Sequence, residues 1–144
     1  MMDPQKHDES LPPGYVPDED EAYMNPRQLA WFRQRLVSWR EELLEESRRT
    51  VDELRDEDRD VTDEAERASR ESEHTLALRT RERYRKLIPK INAALDRIED
   101  GSYGYCDETG EPIGVKRLMA RPIATLSVEA QERHEKLSKQ LAED

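Results

Sequence analysis

The sequence predicts an all-α-dominated fold: a long antiparallel coiled-coil hairpin, then a small globular domain with a metal-free, zinc-finger-like segment and a C-terminal helix. Three observations predict it. Charged residues fill 40% of the 144 positions and hydrophobic ones only 34%, too polar for a globular core of this length and suited to long, solvent-bathed helices. Apolar residues recur at alternating spacings of three and four along two stretches of similar length. The stretch that follows them is laid out like two metal-binding knuckles yet holds the chain's single cysteine.

Taken in order, residues 1–24 form an extended leader rich in proline (Pro4, Pro12, Pro13, Pro17), with Tyr15 and Val16 as its main apolar points, packing on the globular domain. The hairpin is expected over residues 25–99. Its first helix starts with Asn25 as N-cap and Pro26 in the first turn. Leu29, Phe32, Leu36, Trp39 and Leu43 then make a seam, which turns polar beyond Leu43. The tip falls near 58–68, and Ala77, Thr80, Tyr84, Leu87, Ile91, Ala94 and Ile98 form the returning seam. Each arm should measure roughly 45–50 Å at the helical rise. Pro89 removes a backbone hydrogen bond and crowds the preceding turn, so a kink is expected near Arg85–Pro89, with a helix break as the alternative. Gly101 serves as the C-cap.

Residues 100–144 then hold the finger-like segment and a last amphipathic helix over Val128 to Ala142 that uses Leu137 and Leu141. The four ligand positions of such a finger would be Cys106, Thr109, Ser127 and Ala130, with 17 residues between the inner pair. Zinc needs about four soft or borderline donors, and two hydroxyls and a methyl group do not supply them, so no metal is expected. Packing must replace it, from Tyr103, Tyr105, Ile113, Val115, Leu118, Met119, Ile123, Leu126, Val128 and Leu137. Cys106 has three readings. A metal site lacks partners beyond His134, and a redox sensor is opposed by Asp107 and Glu108, which disfavour a thiolate; a small buried hydrophobe is the expectation.

Charge narrows the function. The net charge of −10 argues against unaided binding to nucleic acid. No run of 18 apolar residues exists for a membrane span, and the N-terminus lacks signal-peptide regions, so a cytoplasmic protein is expected. Between Glu45 and Glu73 thirteen acidic residues stand against six basic ones, whereas between Arg79 and Lys90 six basic residues face one acid. An acidic tip on a basic stem suits a partner whose interior holds metal or basic groups. The bland readings are helix-capping acids and a solvated basic face.

The run Tyr103–Arg121, following this long charged helical pattern, resembles the DksA/TraR family of bacterial transcription factors, and the resemblance extends from about Tyr23 to the C-terminus. The resemblance implies a regulator, not an enzyme, that binds RNA polymerase directly as a monomer and enters its secondary channel without touching DNA. It also implies that Asp63, Glu66 and Ala68 match the family's tip motif, the second acid being one methylene longer here. Guanosine tetraphosphate is the implied effector, with Lys90 and Arg121 at matching positions and Leu87 beside Lys90, while the family's lysine after the last finger ligand is Gln131 in this chain. Arg79 and Arg83 would meet an acidic channel rim. Zinc-independent members with fewer cysteines belong to the same family. The rival readings are a transcript-cleavage factor of similar shape and a structural coiled-coil module; no catalytic triad or phosphate-binding glycine loop supports an enzyme.

Overall fold

A computed structural model describes residues 11–57 and 63–143. Residues 1–10 of the leader and 58–62 of the expected tip lie outside the described residues. Four helices follow one another: α1 (Pro26–Glu57), α2 (Glu64–Asp100), α3 (Val115–Ala120) and α4 (Val128–Glu143). Among the described residues the one β-type pairing is an isolated antiparallel bridge between Tyr105 and Pro112. The chain divides into two compact units, one built from residues 1–36 and 93–144 and the other from residues 37–92.

The second unit is a two-helix hairpin. Arg40 Nη1 donates to Asn92 Oδ1 at 2.7 Å, and the Tyr84 hydroxyl bonds the Glu46 side chain. The partner number falls as the α1 number rises, which fixes the pairing as antiparallel. Leu43 and Ile91 are buried in this unit. Farther along, the half-buried positions among the described residues are Ser47, Thr50 and Val51 on α1 and Arg70, His74, Ala77, Thr80, Tyr84, Leu87 and Ile88 on α2. The threonines satisfy themselves locally: Thr50 and Thr80 donate to the carbonyls of Glu46 and Leu76 at 2.8 and 3.0 Å. Little apolar area therefore holds this half together, and exposed charge dominates it. The helix runs unbroken through Pro89, so the helix-break alternative is not realised.

The first unit carries the larger core. Asn25 caps α1, its Oδ1 accepting the Gln28 amide at 3.0 Å. Phe32, Leu36, Ala94, Tyr103 and Leu118 are completely or almost completely buried. Phe32 stands edge-on to Trp31 at 5.0 Å between centroids and tilts against Tyr103 at 5.5 Å. α2 stops where Gly101 takes φ +85°, a left-handed value that glycine adopts without a Cβ penalty. The Ser102 and Tyr103 amides then donate back to the Arg97 carbonyl at 3.0 and 3.1 Å, closing the helix end. Tyr103 is thereby aimed inward, and its buried hydroxyl donates to the Pro122 carbonyl at 2.8 Å.

Three members of the expected core are not in it. Tyr105, Val128 and Leu137 are exposed, and Leu141 is 70% exposed. Leu137 and Leu141 have the helical spacing of a core face, but α4 outlasts the finger that covers its first turn: Ala130 is buried, while every residue from Glu132 to Ala142 is exposed.

Candidate functional site

Three regions could carry function: the acids opening α2, the basic stretch of the same helix, and the finger-like segment. Asp63 sits immediately before α2 and caps it, its Oδ1 accepting the Ala65 amide at 3.1 Å and its carbonyl accepting the Arg67 amide at 2.8 Å. Glu66, one turn on, pairs with Arg70 at 3.2 Å. Ala68 is exposed, as are Asp63 and Glu66. One short helical segment thus gathers the two carboxylates and the small residue.

Arg79, Arg83 and Lys90 are exposed on α2, at spacings of four and seven that keep them along one side. Leu87 is half-buried among them. Arg81, Arg85 and Lys86 add exposed charge, and Arg85 reaches Glu82 at 3.4 Å. Arg121 belongs to the first unit. It ends α3, its amide bonded to the Arg117 carbonyl at 2.7 Å, and its side chain is exposed. Gln131 is half-buried and bonds Glu135 at 3.2 Å.

In the finger, the first knuckle is a tight hairpin. The Cys106 amide donates to the Glu111 carbonyl at 2.8 Å, Gly110 donates back to Cys106 at 2.8 Å, and Ile113 donates to Gly104 at 2.7 Å. The second knuckle is tied to it by Asp107 donating to Thr125 at 2.9 Å. The four positions expected to stand where such a finger has its ligands are linked by hydrogen bonds. Thr109 and the Ser127 amide hydrogen-bond the Cys106 thiol, and the Thr109 Oγ1 also accepts the Glu111 amide at 3.2 Å. Ser127 Oγ accepts the Ala130 amide at 3.2 Å, capping α4. Ala130 is fully buried at the remaining corner.

Cys106 is 3% exposed, a buried small side chain. Its ionisation, however, is opposite to the expectation that the neighbouring acids would disfavour a thiolate. The Thr109 hydroxyl first, then the Ser127 amide, bring the thiol down to about 6, outweighing desolvation. Asp107 and Glu108 point to solvent, where their charges are screened, while the donors touch the sulfur. Glu108 instead bonds His134 Nε2 and lies 3.8 Å from Arg133, fastening the knuckle to α4.

The leader supplies residues that the sequence pattern did not single out. The Tyr23 hydroxyl donates to the Gly104 carbonyl at 2.6 Å and accepts the Gly114 amide at 2.9 Å. Its ring meets Tyr105 edge-on at 5.6 Å. Gln28, fully buried, accepts the Met24 amide at 2.7 Å and donates to the Asp18 carbonyl at 3.1 Å. A tyrosine just ahead of a helix start was the only local signal, and bonds across 81 and 91 residues leave no periodicity.

Comparison with known proteins converges on one family. Residues 28–98 match the model of the DnaK suppressor protein DksA N-terminal domain, and residues 101–136 match the prokaryotic dksA/traR C4-type zinc finger. The chain is 62% identical over 122 residues to the RNA polymerase-binding transcription factor DksA of Caulobacter vibrioides, covering 85% of this chain and 86% of that one. It is 44% identical over 128 residues to the protein of the same name from Escherichia coli strain K12, covering 89% and 85%. The solved structure of transcription factor DksA2 from Pseudomonas aeruginosa superposes with a TM-score of 0.73 at 48% identity, covering 85% of this chain and 93% of that chain.

The family's zinc does not fit these residues. One thiol, two hydroxyls and a methyl group are not a zinc donor set, and among the described residues no group of three or more histidine, cysteine or acidic side chains could hold a metal ion. The hairpin, the finger without its metal donors and the matches along both together establish that the chain belongs to the DksA family.

Proposed function

We propose that this protein binds bacterial RNA polymerase directly, without contacting DNA, and regulates transcription initiation, entering the secondary channel with the end of the hairpin where α2 begins. The observation that carries the reading is membership of the DksA family over most of the chain, whose relatives bear the name RNA polymerase-binding transcription factor. Asp63 and Glu66 are the carboxylates that reach the polymerase interior, and Ala68 is the small residue that allows close approach. Arg79 and Arg83 meet an acidic rim. Guanosine tetraphosphate acts as effector against Lys90, Arg121 and Leu87, with Gln131 contributing no charge. The protein works as a cytoplasmic monomer and catalyses nothing itself.

Charge distribution supports this reading. Acidic side chains open α2 and exposed basic ones follow along its stem, so the helix presents opposite signs to the two ends of a channel. The test is multi-round transcription by purified bacterial polymerase from a ribosomal-RNA promoter, with and without guanosine tetraphosphate. Inhibition strengthened by the nucleotide is the expected result. Absence of inhibition, or stimulated cleavage of backtracked RNA in its place, overturns the proposal.

A further inference from the structure

The finger lacks a zinc donor set, yet the two ends of its first knuckle are cross-linked, and the link comes from the leader. The Tyr23 hydroxyl uses both of its capacities, donating to Gly104 at the start of the knuckle and accepting from Gly114 at its end. The Gly104 carbonyl also accepts Ile113, so one oxygen joins the leader to both sides of the hairpin. Contact here is close: a Cβ on Gly104 would meet Met24 Cγ at 2.9 Å, Met24 Sδ at 3.0 Å and the Tyr23 hydroxyl at 3.1 Å. Met24 itself holds φ +51°, a conformation unusual for a non-glycine residue that persists only where its surroundings fix it.

What fixes it is a second cluster behind the strap. Gln28 accepts the Met24 amide, and one Glu21 oxygen accepts the Tyr15 hydroxyl and the Asp18 amide, both at 2.9 Å. Glu19 adds an exposed ion pair to Lys116 at 3.9 Å, which contributes little. The fixed leader therefore presses a fixed hydroxyl onto the two glycines that bracket Cys106.

We propose that Tyr15–Met24 is a strap that clamps the finger shut in place of the metal, and that release of Tyr23 opens the knuckle and bares Cys106. Removing the hydroxyl leaves the Gly114 amide without its acceptor and the Gly104 carbonyl with one donor in place of two, while the ring continues to fill its site. The knuckle then opens more often, and Cys106 is the reporter because opening uncovers it.

The experiment is the rate of disulfide exchange between Cys106 of the full-length protein and an aromatic disulfide reagent. Tyr23→Phe, Glu21→Gln and Tyr84→Phe are compared with the parent, each with and without a chelator. Tyr84→Phe removes a phenol-to-acid bond in the other unit and serves as the control. Tyr23→Phe is expected to accelerate exchange roughly five- to thirty-fold, and Glu21→Gln in the same direction by less, with Tyr84→Phe at the parental rate and no effect of the chelator. A parental rate in Tyr23→Phe, or equal acceleration in Tyr84→Phe, overturns the proposal.

Discussion

Asp63 has two roles to separate, because it caps α2 and is also the acid proposed to act inside the polymerase. Replacing it by asparagine separates them. Asparagine ranks with aspartate as an N-cap, so the bond to the Ala65 amide is retained. What is lost is the negative charge at the positive end of the helix dipole, worth about 0.3–1 kcal/mol at an exposed site. Alanine loses the cap as well, for a further ~1 kcal/mol. Against a domain stability of about 5–15 kcal/mol neither change unfolds the protein. Amide exchange at Ala65 and Arg67, the two groups bonded to Asp63, reads the cap directly. At roughly five-fold for each kilocalorie lost, Asp63→Asn should speed exchange there by no more than about five-fold and Asp63→Ala by about five-fold beyond that.

Transcription should respond to charge and not to the cap. Asp63→Asn and Asp63→Ala should both lose inhibition at a ribosomal-RNA promoter while retaining binding to polymerase, since the basic stem is untouched. If inhibition instead survives in Asp63→Asn and fails only in Asp63→Ala, in step with amide exchange, then Asp63 is a helix cap and its functional assignment is wrong.

Thr109→Val removes the leading donor to the Cys106 thiol with little change of shape, and the thiol should move up from about 6 towards its ordinary range, followed by thiolate ultraviolet absorbance. Because the folded thiol is depressed, its contribution to stability is full above the unfolded value near 9 and disappears as pH falls through about 6; the valine variant should lose that dependence in denaturant titrations. Gly104→Ala should cost about 1–3 kcal/mol in urea denaturation, because strain at φ +94° adds to overlap with Met24. Gly101→Ala, at φ +85° with nothing within 4 Å, should cost only about 1 kcal/mol. Since the old ligand positions still converge, the triple variant Thr109→Cys, Ser127→Cys, Ala130→Cys should bind one zinc per chain by elemental analysis and become chelator-sensitive. Failure to take up zinc would show that the four corners have drifted from tetrahedral geometry.

The helices were legible because their cause is periodic. Phe32, Leu36, Leu43, Ile91 and Ala94 were all members of the seams read from spacing, and all are buried. The same rule misled at Leu137 and Leu141, 58% and 70% exposed. Periodicity reports which residues share a helix face; it does not report whether another element reaches that face. Cys106 shows a different limit. Its burial followed from residue type, but its ionisation depends on which hydroxyl and amide touch the sulfur, and that depends on how the two knuckles fold against each other. The acids at Asp63 and Glu66 stood out only through a family pattern, since charge at a helix start serves capping equally well.

The loss of a zinc donor set need not leave a weakened copy of a metal site. A zinc ion holds two knuckles through four bonds of similar kind, so losing any ligand weakens the whole. In this chain the same corners do separate work: Thr109 and the Ser127 amide satisfy a thiol, Ser127 starts a helix, and Ala130 fills space. The knuckles are joined directly by Asp107 donating to Thr125 and by the Ser127 amide on the thiol, and they are braced from outside by a phenol from the leader and a histidine–glutamate contact from α4. Distributed hydrogen bonds of about 1 kcal/mol each replace one large binding term, and each can be lost without abolishing the rest. A finger held in this way should therefore open by degrees as its bonds are removed singly, where a zinc finger stripped of its metal unfolds in one step. Combining Tyr23→Phe with His134→Ala is the discriminating case: additive acceleration of Cys106 exchange is the signature of independent clamps, and an effect no larger than the greater single change would show that they act as one.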